Sequence, residues 1–243
     1  MATRYHIGAK DLRGDISAYA KRFDFLEVRV PSAGDLRLAP SEATLRKWRK
    51  AVPPHFEFAV VLSHAAGLLK PSPALEAELK CALGMIKALQ ARTVVICTPP
   101  DVTPAPVWRN RLKAFVERLP KDASQLVWEP KGLWETDEAA RFGRTLGLTL
   151  AVDPAREPVP EGPVAYGRLR SLGEVRSFGQ TALERVVRAI GDRRDAFIVI
   201  ETDAALSECK TLRRVAQKGV GNLGGGGLVL RPRGGAPRPD DDE

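Results

Sequence analysis

The chain offers little that would mark it as an oxidised, metal-bound or membrane protein. Its cysteines are three, Cys81, Cys97 and Cys209, with no Cys-x-x-Cys pair, so neither a disulfide framework nor a zinc knuckle is indicated. Histidine is equally sparse: His6, His55 and His64 form no close-spaced ligand motif. No metal and no cofactor is therefore expected; a magnesium or calcium ion held by acids alone cannot be read from spacing. No apolar run approaches the roughly 18 residues of a membrane span. The opening "MATRYHIGAKDLRGD" also lacks the apolar core of a secretory signal. A reducing, cytoplasmic setting without a membrane partner is the expectation.

Nucleotide-binding loops are missing too. "GVGNLG", Gly219 to Gly224, fits the dinucleotide pattern G-x-G-x-x-G. It follows an expected helix and runs into more glycine, whereas the motif requires a strand before and a helix after. No G-K-[ST] follows to make a phosphate-binding loop.

What the chain does have is positive charge. Lys and Arg number 38 against 30 Asp and Glu, a formal net charge of +8. The excess favours anionic partners, yet the basic residues lie in almost every segment, as on an ordinary solvated surface. The helix "RKWRK" and the arginines near the C-terminus keep nucleic acid open as a partner.

Short apolar runs recur through the 243 residues: "RYHIG" (4–8), "FLEVRV" (25–30), "FEFAVVL" (56–62), "TVVICT" (93–98), "QLVWE" (125–129), "LTLAVD" (148–153), "VAYGRL" (164–169) and "AFIVIE" (196–201). Their β-branched content without clean alternation suits strands buried on both faces of a parallel sheet. Helices lie between several of them. Ser41 caps "EATLRKWRKAV", in which Leu45, Trp48 and Val52 share a face, and Pro53 with Pro54 ends it. Leu75, Leu79, Leu83, Ile86 and Leu89 form a stripe at helical spacing. Thr136 precedes "DEAARFGRTLG", and two further helices follow.

Eight strands alternating with helices predict an α/β (β/α)8 TIM barrel over residues 1–218, with an open doubly wound sheet as the alternative. One crossover helix should be missing. "DPAREPVPEGP", Asp153 to Pro163, is too short and too rich in proline for a helix between strands six and seven. Residues 219–243, dominated by Gly and Pro and ending "DDDE", read as a flexible tail.

In such a barrel, polar groups that do chemistry project from the C-terminal strand ends into the mouth. That rule collects Glu27 with Arg29, His64, Glu129 with Lys131, Asp153, Arg168, and Glu201 with Asp203. Asp203 is also a natural helix cap. Glu27 and Glu129 interrupt apolar runs, so each needs a cationic partner; they are the acid and base candidates, one with its pKa raised by burial. Arg29, Lys131 and Arg168 would supply charge-assisted hydrogen bonds to a small anionic or phosphorylated ligand, with His64, Asp153 and Glu201 completing the pocket. Cys97, at the end of strand four without an identifiable base, is a weak nucleophile candidate. The alternatives are a nucleic-acid-binding protein and a degenerate barrel kept as an interaction scaffold. Whether the chain is an enzyme, and its oligomeric state, stay open at this point.

"YHIGAKD", "AYAKRFDFLEVRV", "PSEATLRKWRKAVPPHFEFAVVLSH", "QLVWEPKGLWE", "LAVDP" and "VAYGRL" together resemble a diverged member of the YecE-like family, the TIM-barrel proteins labelled domain of unknown function 72. The resemblance covers roughly residues 4–218 and retains Glu27, Glu129, Asp153 and Arg168. It departs where "IGAKDL" replaces the family's aromatic "IGTSGW" turn, where Arg29 replaces an asparagine, where Val61 replaces a lysine, and where "WEPKG" replaces "EFRHP". The resemblance implies the barrel fold and, more distantly, kinship with barrels that include sugar isomerases and phosphodiester-cleaving endonucleases. It implies no particular reaction.

Overall fold

The computed structural model describes residues 3–120, 125–173 and 176–222. Eight strands run in parallel: β1 Arg4–Ala9, β2 Phe25–Arg29, β3 Glu57–Val61, β4 Thr93–Thr98, β5 Gln125–Pro130, β6 Leu148–Val152, β7 Val164–Leu169 and β8 Asp195–Ile200. Seven ladders join them in the order β1-β8-β7-β6-β5-β4-β3-β2, giving a nearly closed barrel and excluding the doubly wound sheet.

The seam lies between β1 and β2. There the Asp24 N–H donates to the Ile7 carbonyl at 3.1 Å, and the Ile7 N–H to Asp24 Oδ1 at 2.7 Å. The Tyr19 hydroxyl accepts from the Ala9 N–H at 2.8 Å and donates to the Phe25 carbonyl at 2.9 Å. Gly8 allows this approach, since a Cβ there would sit 2.3 Å from the Phe25 oxygen.

Side chains of a strand alternate between faces, and here the two faces make two cores. Phe25, Val61, Val95, Val127, Tyr166 and Phe197 fill the barrel, while Leu26, Val60, Ile96, Trp128 and Ile198 pack outward against helices. Both faces are apolar, which explains the unbroken hydrophobic runs.

The helices are α1 Ile16–Ala20, α2 Glu42–Ala51, α3 His64–Gly67, α4 Pro73–Leu89, α5 Pro106–Val116, α6 Thr136–Thr145, α7 Gln180–Ile190 and α8 Ala205–Asn222. Ser41 caps α2 by accepting from the Thr44 N–H, and Leu45 and Val52 are buried with Trp48 packed beside them. On α4 the buried stripe is Leu75, Leu79, Ala82, Met85 and Leu89. Leu83 is 47% exposed, a departure from the expected stripe that follows from small Ala82 and flexible Met85 filling the sheet side instead. Thr136 begins α6 and Glu135 is its N-cap residue. No helix occurs between β6 and β7, where the chain passes through turns from Asp153 to Pro163.

Helix α8 continues through Gly219 to Asn222; the remainder of the expected tail lies outside the described residues. Among the described residues, no helix is long and apolar enough to cross a membrane.

Candidate binding site at the barrel mouth

The alternation that fills the barrel also builds its mouth. Tyr166, Arg168 and Arg170 are two residues apart on and just past β7, so all three face the interior. Glu27 and Arg29 on β2, and Glu129 and Lys131 at the end of β5, follow the same step.

Arg168 is 1% exposed and stands at the centre of the group. Its Nη2 donates to Glu27 Oε1 at 2.6 Å and its Nη1 to Glu27 Oε2 at 2.9 Å, a two-pronged pair across the barrel. Nη1 also donates to Glu201 Oε1 at 3.0 Å. Nε lies 2.7 Å from Glu129 Oε2 but has no hydrogen-bond partner, so its N–H is aimed off that line and the contact is an ion pair alone. The Tyr166 hydroxyl donates to Glu27 Oε1, and Arg170 Nη2 to Glu129 Oε1. Arg29 Nη2 approaches Glu27 Oε2 at 3.5 Å, and Arg170 Nε lies 3.9 Å from Glu201 Oε2.

The charges set each other's protonation. Burial pushes the Glu129 carboxyl upward, but Arg168, Arg170 and the Cys97 thiol outweigh it and hold the group below its usual range. Of the two acid and base candidates, Glu129 is therefore not the one with a raised pKa; it is an ionised acceptor and not a stored acid. Burial likewise opposes the charge on Arg168, and Glu27 and Glu129 more than restore it. Burial, then the charge of Glu27, drives the Tyr166 phenol well above its normal range. Cys97 donates to Glu129 Oε2 at 3.4 Å, and burial together with that carboxylate pushes its thiol up to about 12. A thiol so hard to ionise is a poor nucleophile.

Above the network opens a cavity of about 420 Å³. Its lining includes Arg29, His64, Glu129, Lys131, Arg168 and Glu201 from the sequence reading, together with Lys10 and Arg170, which that reading missed. Glu27 lies beneath, held by Arg168. Lys10 and Lys131 are exposed and form no ion pair among the described residues. His64 is exposed at the first position of α3.

Asp153 stands apart. Its carboxylate accepts from the Ala155 N–H at 3.1 Å and from Arg156 Nη1 at 2.5 Å, and it does not line the cavity. Asp203 is fully exposed, 3.8 Å from Arg13. Two buried acids that no strand-end rule finds hold the surrounding loops. Glu78 accepts from the Ala33 N–H at 2.7 Å and from the Ser63 hydroxyl; Glu208 accepts from the Phe178 N–H at 2.5 Å and from the Thr202 hydroxyl. Among the described residues, no group of three or more His, Cys, Asp and Glu side chains is placed to hold a metal.

The basic helix α2 is less available to phosphate than its sequence suggests. Arg46 pairs with Glu42 at 2.6 Å. Arg49 donates to the Phe56 and Pro53 carbonyls at 2.7 and 2.6 Å and lies over the Phe58 ring.

Comparison with solved structures places the fold among known barrels. A DUF72 family protein from Enterococcus faecalis V583 superposes with a TM-score of 0.66 at 12% identity, covering 88% of this chain and 98% of that one. A DUF72 family protein from Thermotoga maritima MSB8 gives 0.64 at 16% identity over 88% and 99%. A xylose isomerase domain containing protein from Salmonella typhimurium LT2 gives 0.56 at 16% identity over 91% and 97%. At these identities the likeness is one of fold. No curated protein sequence matches the chain. The family described as "Protein of unknown function DUF72" matches residues 3–219, and with Glu27, Glu129 and Arg168 gathered at the mouth of its barrel the chain belongs to the DUF72 family.

Proposed function

We propose that the barrel mouth binds a small anion, a phosphate group or the phosphate of a small ester. The observation that supports this reading is the charge imbalance of the cavity: Lys10, Arg29, Lys131, Arg168 and Arg170 line it against Glu129 and Glu201. Counting Glu27 below, cations exceed carboxylates by two, and the surplus is Lys10 and Lys131, which lack ion pairs among the described residues. Low-dielectric walls strengthen the field of such a surplus. Arg168 is already engaged by three acids and ties Glu27, Glu129 and Glu201 together. Glu129 is held ionised by its neighbours and so is a weaker proton acceptor than a free carboxylate, which places it as a partner of the cations in the pocket.

Calorimetric titration with inorganic phosphate at about 50 mM salt tests the reading, since exposed charges are screened over roughly 10 Å as salt rises. Binding that weakens with salt, and weakens by about tenfold or more in Lys131→Ala, is expected. Heat indistinguishable from dilution, or equal binding in wild type and variant, would refute it.

A further inference from the structure

A second cavity, of about 340 Å³, lies beside the mouth and shares Lys10 and Glu201 with it as walls. Like the mouth, it is lined about equally by polar and apolar surface. Its apolar part comes from Tyr19, Phe23, Ala205 and Leu206, on α1 and its C-terminal turn and at the start of α8. The Tyr19 and Phe23 rings lie 4.7 Å apart, tilted by 30°.

The polar atoms in its floor are already committed. The Tyr19 hydroxyl bonds to backbone on both sides of the barrel seam, and the buried Thr202 hydroxyl donates to Glu208. Charge is confined to half-buried Glu201, which Arg168 already holds, and to exposed Lys10, Asp11, Arg13, Arg22 and Asp203, of which Arg13 and Asp203 face each other at 3.8 Å. A ligand entering it therefore gains by burying apolar surface and has few hydrogen bonds to win in the floor.

We infer that the mouth and this side cavity form one two-part site for an aromatic monophosphate, the phosphate held among the cations of the mouth and the ring placed against Tyr19, Phe23 and Leu206. The inference rests on the anion-binding reading of the mouth. It adds the chemical class of the rest of the ligand. Lys10, in the shared wall, belongs to both parts and links the phosphate to the ring-binding side.

Three probes separate the two levels: inorganic phosphate, glycerol 2-phosphate and phenyl phosphate, titrated calorimetrically into the full chain. Burying a phenyl ring at roughly 25 cal/mol per Å² should give phenyl phosphate at least a tenfold advantage over glycerol 2-phosphate. Leu206→Asp, which puts a charge in the apolar wall, should reduce that ratio toward one. Ala18→Trp, at an exposed position on α1 that lines the same cavity, should do likewise by filling it. Circular dichroism melts identify a variant that fails to fold, and the other then carries the comparison. Equal affinity for the two esters, or a preference that survives in a folded variant, overturns the two-part site while leaving the anion pocket intact. No binding of any of the three overturns both.

Discussion

At the scale of the residue, the mouth depends on Arg168. It is the buried cation that meets both Glu27 and Glu129 at the top of an apolar core. Removing it leaves the two carboxylates only their contacts with the more exposed Arg29 and Arg170 and with the Tyr166 hydroxyl and Cys97 thiol. Arg168→Met should lower unfolding free energy by about 3–5 kcal/mol in urea melts. Arg168→Lys should recover only part, because an ammonium keeps the charge and loses the planar fork that meets Glu27 at two points. A melt of Arg168→Lys equal to wild type would show that charge alone suffices.

Glu129 adds a pH dependence whose sign is fixed. Its folded pKa lies below its unfolded value, so its contribution is fully present above the unfolded carboxylate pKa of about 4.3 and is lost as pH falls through the folded value. The stability difference between wild type and Glu129→Gln should be constant from pH 7 to pH 6 and shrink below about pH 4. A difference that grows on acidification would contradict the assignment.

Glu27, Glu129 and Arg168 were legible in the sequence because a charge inside a β-branched run has few structural excuses. Arg170 was equally legible in principle, two residues past Arg168 and so on the same face. Tyr166 was hidden because a tyrosine passes for core. Asp153 misled for the opposite reason: an acid at a strand end looks like a mouth residue, yet "DPAR" also places Arg156 three positions on, where a turn delivers it to the carboxylate.

At the scale of the element, eight strands could be read directly because parallel strands buried on both faces leave short, dense apolar runs, and the missing crossover was declared by its prolines. Helix α5 was overlooked although Pro106 opens it and Leu112 and Phe115 sit on its buried face; its mixed "VWRNRLKAF" dilutes the pattern. The loops of the mouth were unreadable, since Glu78 reaches across 45 residues to the Ala33 N–H and 15 to Ser63. Such pairings are set by the closed sheet and leave no local signature.

Glu78→Ala should leave the Ala33 N–H without its acceptor and cost about 1–3 kcal/mol in chemical melts. It should also speed amide exchange at Ala33. Unchanged exchange there would deny the clamp. At the seam, Gly8→Ala forces a methyl carbon against the Phe25 carbonyl and should destabilise by about 1–3 kcal/mol. A neutral effect would mean that β1 and β2 are not held as close as the Ile7 and Asp24 hydrogen bonds imply.

At the scale of the whole molecule, net positive charge and a basic mouth are separate facts. The +8 is spread over the surface, and the arginines of α2 are largely engaged by their own neighbours. The mouth concentrates five cations around about 420 Å³, with two lysines left over. Composition alone could suggest an anionic partner and could not locate it. The fold sets alternate residues of β2, β5 and β7 around one opening, and that opening is where the proposed site lies.

Anion binding at that opening is the central claim, and a linked stability measurement tests it most directly. A ligand that binds only the folded state stabilises it by RT ln(1 + [L]/Kd), about 2.7 kcal/mol at a hundredfold excess over Kd. For a chain of this size that corresponds to a Tm rise of several degrees, at roughly 2–4 °C per kcal/mol. Thermal unfolding would be followed in inorganic phosphate and in chloride of equal ionic strength, for the wild type and for the Lys10→Ala, Lys131→Ala double variant. A phosphate-specific rise in the wild type that vanishes in the double variant is the predicted result; no rise, or the same rise in both proteins, would contradict the account.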